Sequence, residues 1–166
     1  MNTYQTEAII LKREDIGEAD RSYIIYSKDF GKLRATAGGV RKITAKLTGH
    51  LEPFNLAWLE LVTKRNGRIT ITTALSNGRL FRGGPPAQAA LAAKIADFTD
   101  KMIPQPQKDA EIWDFIGRTF TAVGEVSAGE SGPFFEKFRQ EFLDLLGYGD
   151  NFEIAWYYLS DFDVLY

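Results

Sequence analysis

Seven basic side chains and one phenylalanine are the residues of this chain with chemistry to offer. Phe30 stands at an Asp29-Phe30-Gly31 turn, with Lys32 and Arg34 just beyond it. Arg41, Lys42 and Lys46 crowd the next connection, which also holds Gly38 and Gly39, and Arg65 and Arg68 flank an Asn66-Gly67 pair. Cations along a groove neutralise phosphates, and planar faces beside them stack bases; single-strand binders need both. Tyr23, Tyr26 and Phe54 are further candidate stacking groups, although Phe54 and Trp58 fit a barrel core better. Cations scattered over a domain surface are ordinarily just solvated. It is the crowding of Arg41, Lys42 and Lys46 in one glycine-bearing loop that singles out this set as a nucleic-acid site.

Bond-making chemistry has no comparable foothold. The chain has one histidine, His50, and no cysteine, so cysteine-based zinc sites and iron–sulfur clusters are excluded and a histidine triad has no signature around it. Gly31-Lys32-Leu33 lacks the upstream glycine and following hydroxyl of a phosphate-binding loop, and Gly38-Gly39 opens no dinucleotide fingerprint. Glu14/Asp15 and Glu18/Asp20 lie beside Arg13 and Arg21, where solvated or salt-bridged carboxylates are expected rather than catalytic ones. The expectation is a binding protein without catalytic residues, metal or cofactor. A protein-interaction adaptor or an RNA-binding protein is the alternative reading.

The elements that must hold these residues change character part-way along. Residues 1–82 carry 14 Lys and Arg against 8 Asp and Glu, a net +6; residues 83–166 carry 6 against 14, a net −8. A basic half of this kind faces a polyanion. The basic half also reads as strands. Thr6 to Lys12, Arg21 to Ser27, Leu33 to Ala37, Phe54 to Lys64 and Ile69 to Leu75 are β-branched, aromatic or alternating, and Asn66-Gly67 is a strong hairpin signal. Ile69, Ile71, Thr73 and Leu75 are expected to face inward, and Arg34 outward. Five short strands predict a small closed barrel, an OB-fold, over residues 1–82.

Gly83-Gly84-Pro85-Pro86 breaks the pattern, and residues 83–166 read as a helical domain. Leu91, Ile95, Phe98 and Met102 mark one helix, stopped by Pro104 and Pro106. Ile112, Phe115, Ile116, Phe120 and Val123 mark a second, followed by a loop over residues 125–132. Phe135, Phe138, Phe142 and Leu145 mark a third, ended by Gly147. A short fourth helix is expected from Asp150, bearing Phe152, Trp156 and Leu159. The fold class is α+β, an all-β barrel followed by helices. No segment approaches the roughly 20 apolar residues that span a bilayer, and no basic, then apolar, leader opens the chain. A cytoplasmic protein with no membrane partner is expected.

Several short motifs occur in a telling order. Gly17-Glu18-Ala19-Asp20-Arg21, Gly31-Lys32, Gly38-Gly39-Val40-Arg41-Lys42 and Gly49-His50-Leu51-Glu52-Pro53-Phe54 are followed by Phe138 to Tyr148, a helix ending in Leu-Gly-Tyr. Over roughly residues 4–148 this succession resembles the RecO family of bacterial recombination mediators. The resemblance implies an OB-fold and a helical domain, binding of single- and double-stranded DNA, and annealing of complementary strands. It also implies work with RecR and the single-strand binding protein to load RecA. The family's DNA-contacting basic residues would correspond to Lys32, Arg34, Arg41, Lys42 and Lys46. Many members carry a four-cysteine zinc module after Leu-Gly-Tyr and continue through further helices. This chain has no cysteine and ends at Tyr166, which reads as a short form or a fragment.

Overall fold

The computed structural model describes residues 1–18, 20–38, 46–104 and 106–149. The five expected strands are present: β1 (Asn2–Ile16), β2 (Asp20–Ser27), β3 (Gly31–Ala37), β4 (Asn55–Thr63) and β5 (Ile69–Arg79). They close into a barrel in the order β1-β2-β3-β5-β4. β1 makes closure possible. Its first half pairs with β4, from Asn2 opposite Thr63 to Ile9 opposite Leu56. Its second half pairs with β2, and the register slips between Ile10 and Lys12. A bulge of this kind bends a strand and raises its twist, so one strand can serve both walls. β3 and β5 run parallel and meet at Thr36 and Thr70.

Strand alternation then builds two cores. Inward phases place Ala8, Ile10, Tyr23, Ile25, Leu59 and Leu61 inside the barrel, with Leu47 and Leu51 plugging one end. The opposite phase of β1 and β2 presents Ile9, Leu11, Ile24 and Tyr26 outward, into a second core shared with the helices. Those helices are α1 (Pro86–Met102), α2 (Ala110–Val123) and α3 (Ser131–Leu145). α1 begins with Pro86 in its first turn, where a missing N–H costs nothing. Asp109 caps α2 by accepting from the amides of Glu111 and Ile112. α3 ends in a Schellman motif: Gly147 has φ 84°, and the amides of Gly147 and Tyr148 donate to the carbonyls of Asp144 and Leu143 at 3.0 Å each. A phenylalanine cluster ties the helices together, with Phe115 and Phe138 stacked at 5.8 Å and Phe98 edge-on to Phe135 at 5.7 Å.

Ion pairs lock α1 to the barrel beside this core. Lys32 Nζ donates to the carbonyl of Asp100 at 2.7 Å and to its Oδ1 at 3.0 Å. Lys12 Nζ lies 2.7 Å from Asp97 Oδ1 and 3.7 Å from Asp100 Oδ2. Burial works against the Lys12 charge, but the hydrogen bond it donates to Asp97 and the fields of Asp97 and Asp100 outweigh this and hold the amine above its ordinary pKa.

Four expectations need correcting. Leu75 faces solvent and is 54% exposed, while Ala74 is buried. The register between β4 and β5 shifts between Glu60 and Leu61, which reverses the inward phase after Ile71. Trp58 lies on the outward phase of β4, between Leu56 and Glu60, and belongs to neither core. Phe54 packs outside the barrel as well, against Phe81 and Phe120 at 5.9 and 5.1 Å. Within the loop expected over residues 125–132, residues Ala128–Glu130 form a 3-10 turn that leads straight into α3.

Candidate nucleic-acid interface

The barrel has two unlike ends, and the candidate residues divide between them. At one end the chain from Leu47 to Leu51 folds across the opening. Thr48 accepts from Arg21 Nη1 at 3.3 Å, and Asn55 Nδ2 donates to the carbonyl of His50 at 3.1 Å. His50 itself accepts from the Ser76 amide through Nδ1 at 3.0 Å, which gives it a structural role. Lys46 opens this segment and is exposed, in a helical turn over residues 46–48. Arg41 and Lys42 lie outside the described residues, as do the expected fourth helix and the aromatic residues Trp156, Tyr157, Tyr158, Phe162 and Tyr166.

The other end is an open mouth. A cavity of about 340 Å³ lies there, lined by Tyr4, Phe30, Leu33, Leu61 and Ile69, with Asp29 and Lys108 at its edge. Phe30 was expected to be exposed; it is half-buried, edge-on to Tyr4 at 5.5 Å. Thr63 and Ile69 both line the cavity. The turn joining them, Lys64 to Arg68, therefore stands at its rim. That turn is closed by the Lys64 amide donating to the Arg68 carbonyl at 2.8 Å. Gly31, at φ 73°, completes the rim: a Cβ there would run into the Gln107 backbone, so only glycine lets the β2–β3 turn seat against the α1–α2 connection.

Charge availability sorts the candidates further. Lys64, Arg65 and Arg68 are exposed, and no carboxylate pairs with them among the described residues. The same is true of Lys46. Arg34 is 57% exposed and reaches Glu14 Oε2 at 3.0 Å and Ser22 Oγ at 3.2 Å. An exposed pair of that kind exchanges partners at little cost. Lys32 differs: its side chain is 16% exposed and its charge is satisfied by Asp100. It shares the phase of Arg34 on β3, but α1 covers it. Asp15 and Glu14 are held by Arg21 and Arg34, as expected of salt-bridged carboxylates, and Arg13 pairs with Glu52. Sequence reasoning missed Tyr4, Lys64 and Lys108. Tyr4 could have been found by extending the period-two pattern of Thr6, Ala8 and Ile10 back by one step.

The amino-acid sequence of the chain has relatives. Residues 1–76 match the family model described as "Recombination protein O N terminal". "DNA repair protein RecO" of Thermoanaerobacter sp. (strain X514) is 27% identical over 148 residues, 89% of this chain and 59% of that protein. The protein of that name from Roseiflexus sp. (strain RS-1) is 31% identical over 146 residues, 87% of this chain and 50% of that one. Residues 1–76 carry the N-terminal domain of the RecO family. A third RecO protein, from Cutibacterium acnes, shares 44% identity over 66 residues, 40% of this chain and 27% of its own. The chain thus spans less than two thirds of the length of each of these RecO relatives. The OB-fold barrel followed by helices is the fold expected from the sequence.

Proposed function

We propose that this chain is the DNA-binding part of a recombination mediator in DNA repair. In this reading it binds single- and double-stranded DNA, brings complementary strands together, and works with RecR, the single-strand binding protein and RecA. The observation that carries the reading is the basic rim of the barrel mouth in a chain with the RecO N-terminal domain, where Lys64, Arg65 and Arg68 present charge that no carboxylate neutralises among the described residues. Arg34 and Lys46 would add phosphate contacts elsewhere on the barrel, and Arg41 and Lys42, outside the described residues, are kept as further candidate contacts. Two strands held on one positive surface repel each other less, and pairing them needs no bond-making step.

Anisotropy of labelled single-stranded DNA across a salt series tests this. Affinity that falls steeply with salt, with a slope reduced by about 1 per cation in Arg65→Glu and Arg68→Glu, supports the reading. Undetectable binding at low salt overturns it. Mixing complementary strands with and without the protein then tests annealing directly.

A further inference from the structure

We propose that the barrel mouth is a pocket for one unpaired DNA base, stacked on Phe30 and Tyr4, with the flanking phosphates on the Lys64–Arg68 turn. The inference rests on the DNA-binding reading and adds to it a place and a selectivity.

Three observations converge on the mouth. Its volume of about 340 Å³ suits a planar heterocycle rather than a duplex end. Its walls are apolar and aromatic: Tyr4 is 39% exposed and Phe30 half-buried, the two rings meet edge-to-face at 72°, and both line the cavity. Its rim is cationic on one side, because the turn between two lining residues carries Lys64, Arg65 and Arg68; Lys108 and Asp29 also line it. Lys108 approaches Asp29 only at 4.0 Å, with both side chains largely in solvent. An apolar slot beside a positive turn is complementary to a base and its flanking phosphates. A base within a duplex is already stacked on both faces and cannot enter without paying to leave. The pocket therefore favours a single strand or a gap.

Comparison of single-stranded and duplex DNA of one sequence, in anisotropy titrations with the full chain, separates the outcomes. Phe30→Ala is expected to weaken single-strand binding about ten-fold, within the range of a lost base–aromatic stack, and to leave duplex binding unchanged. Phe30→Leu keeps the apolar packing against Leu33 and Leu61 but removes the ring, and it should lose as much; Phe30→Trp should restore binding. Tyr4→Ala provides a second, more exposed site. 2-Aminopurine in the single strand should be quenched by the native protein and not by Phe30→Leu. Single-strand affinity and quenching that are unchanged in both Phe30→Leu and Tyr4→Ala overturn the pocket. If the native chain binds neither DNA form, the DNA reading itself fails, and the pocket with it.

Discussion

Lys32 and Arg34 show how much two residues of spacing can hide. Both lie on the outward phase of β3, and the sequence treats them alike. Arg34 remains in solvent, while Lys32 meets Asp100 of α1. Only tertiary packing separates them, so no local pattern could. Asp100→Ala should leave the Lys32 amine without its charged partner and cost about 1–3 kcal/mol; a lowered urea midpoint with DNA affinity unchanged is the expected result. Lys32→Met should cost less, because the stem packing is kept and no buried charge is left behind. Tyr26 offers a pH test of the same interface. It is fully buried, and burial followed by the negative field of Asp109 pushes its phenol up to about 12. The neutral phenol is thus favoured by folding. Its contribution is whole below the ordinary value of about 10 and is lost as pH rises from there through about 12. Tyr26→Phe should flatten the alkaline loss of stability in that window, read by circular dichroism against pH.

Strand positions were legible because β-branched runs and turn residues agree locally with the fold; which face each strand buries was less so. β4 is apolar on both phases, with Ala57, Leu59 and Leu61 on one and Leu56, Trp58 and Val62 on the other. Glu60 is the only sign of which phase looks out, and it shares that phase with Trp58. β5 gave a clean alternation that its bulge then reversed, turning Leu75 outward. Bulges leave no trace in a period-two pattern. The bulge predicts opposite responses at neighbouring positions. Leu75→Thr should change stability by no more than about 0.5 kcal/mol. Ala74→Leu should overpack the barrel and cost about 1–3 kcal/mol. Equal effects in thermal melts would mean the inward phase continues to Leu75. The helices were legible almost residue by residue, because their periodic apolar positions coincide with the phenylalanine cluster and Gly147 sits in the left-handed conformation its cap needs.

At the scale of the molecule, the Gly83-Gly84-Pro85-Pro86 break does not divide the packing. Ile9, Leu11, Ile24 and Tyr26 of the barrel lie in one apolar cluster with α1, α2 and α3. Phe98, at its centre and fully buried, should cost about 3–5 kcal/mol on truncation to alanine and should loosen the barrel face together with the helices. The candidate site was legible as residue types but not as a place: Phe30, Arg65 and Arg68 come together at the mouth, and Lys46 goes to the plugged end. Long-range closure decides that, and a linear sequence holds no direct record of it. Closure also has a cost in time. β1–β2, β2–β3 and β4–β5 are hairpins of neighbours in the chain, whereas the parallel seam of β3 with β5 joins distant segments through one paired position, Thr36 with Thr70, and a bond from Thr36 Oγ1 to the Ile69 carbonyl. β1 and β4 are farther apart in sequence, but eight paired positions hold them, whereas the seam has one and so the least to hold it shut. The seam is therefore the last joint of the barrel to shut and the first to part. In hydrogen exchange, amides of β5 that face β3 should lose protection ahead of those between β1 and β4, which makes the wall beside the basic turn the part of the barrel that breathes.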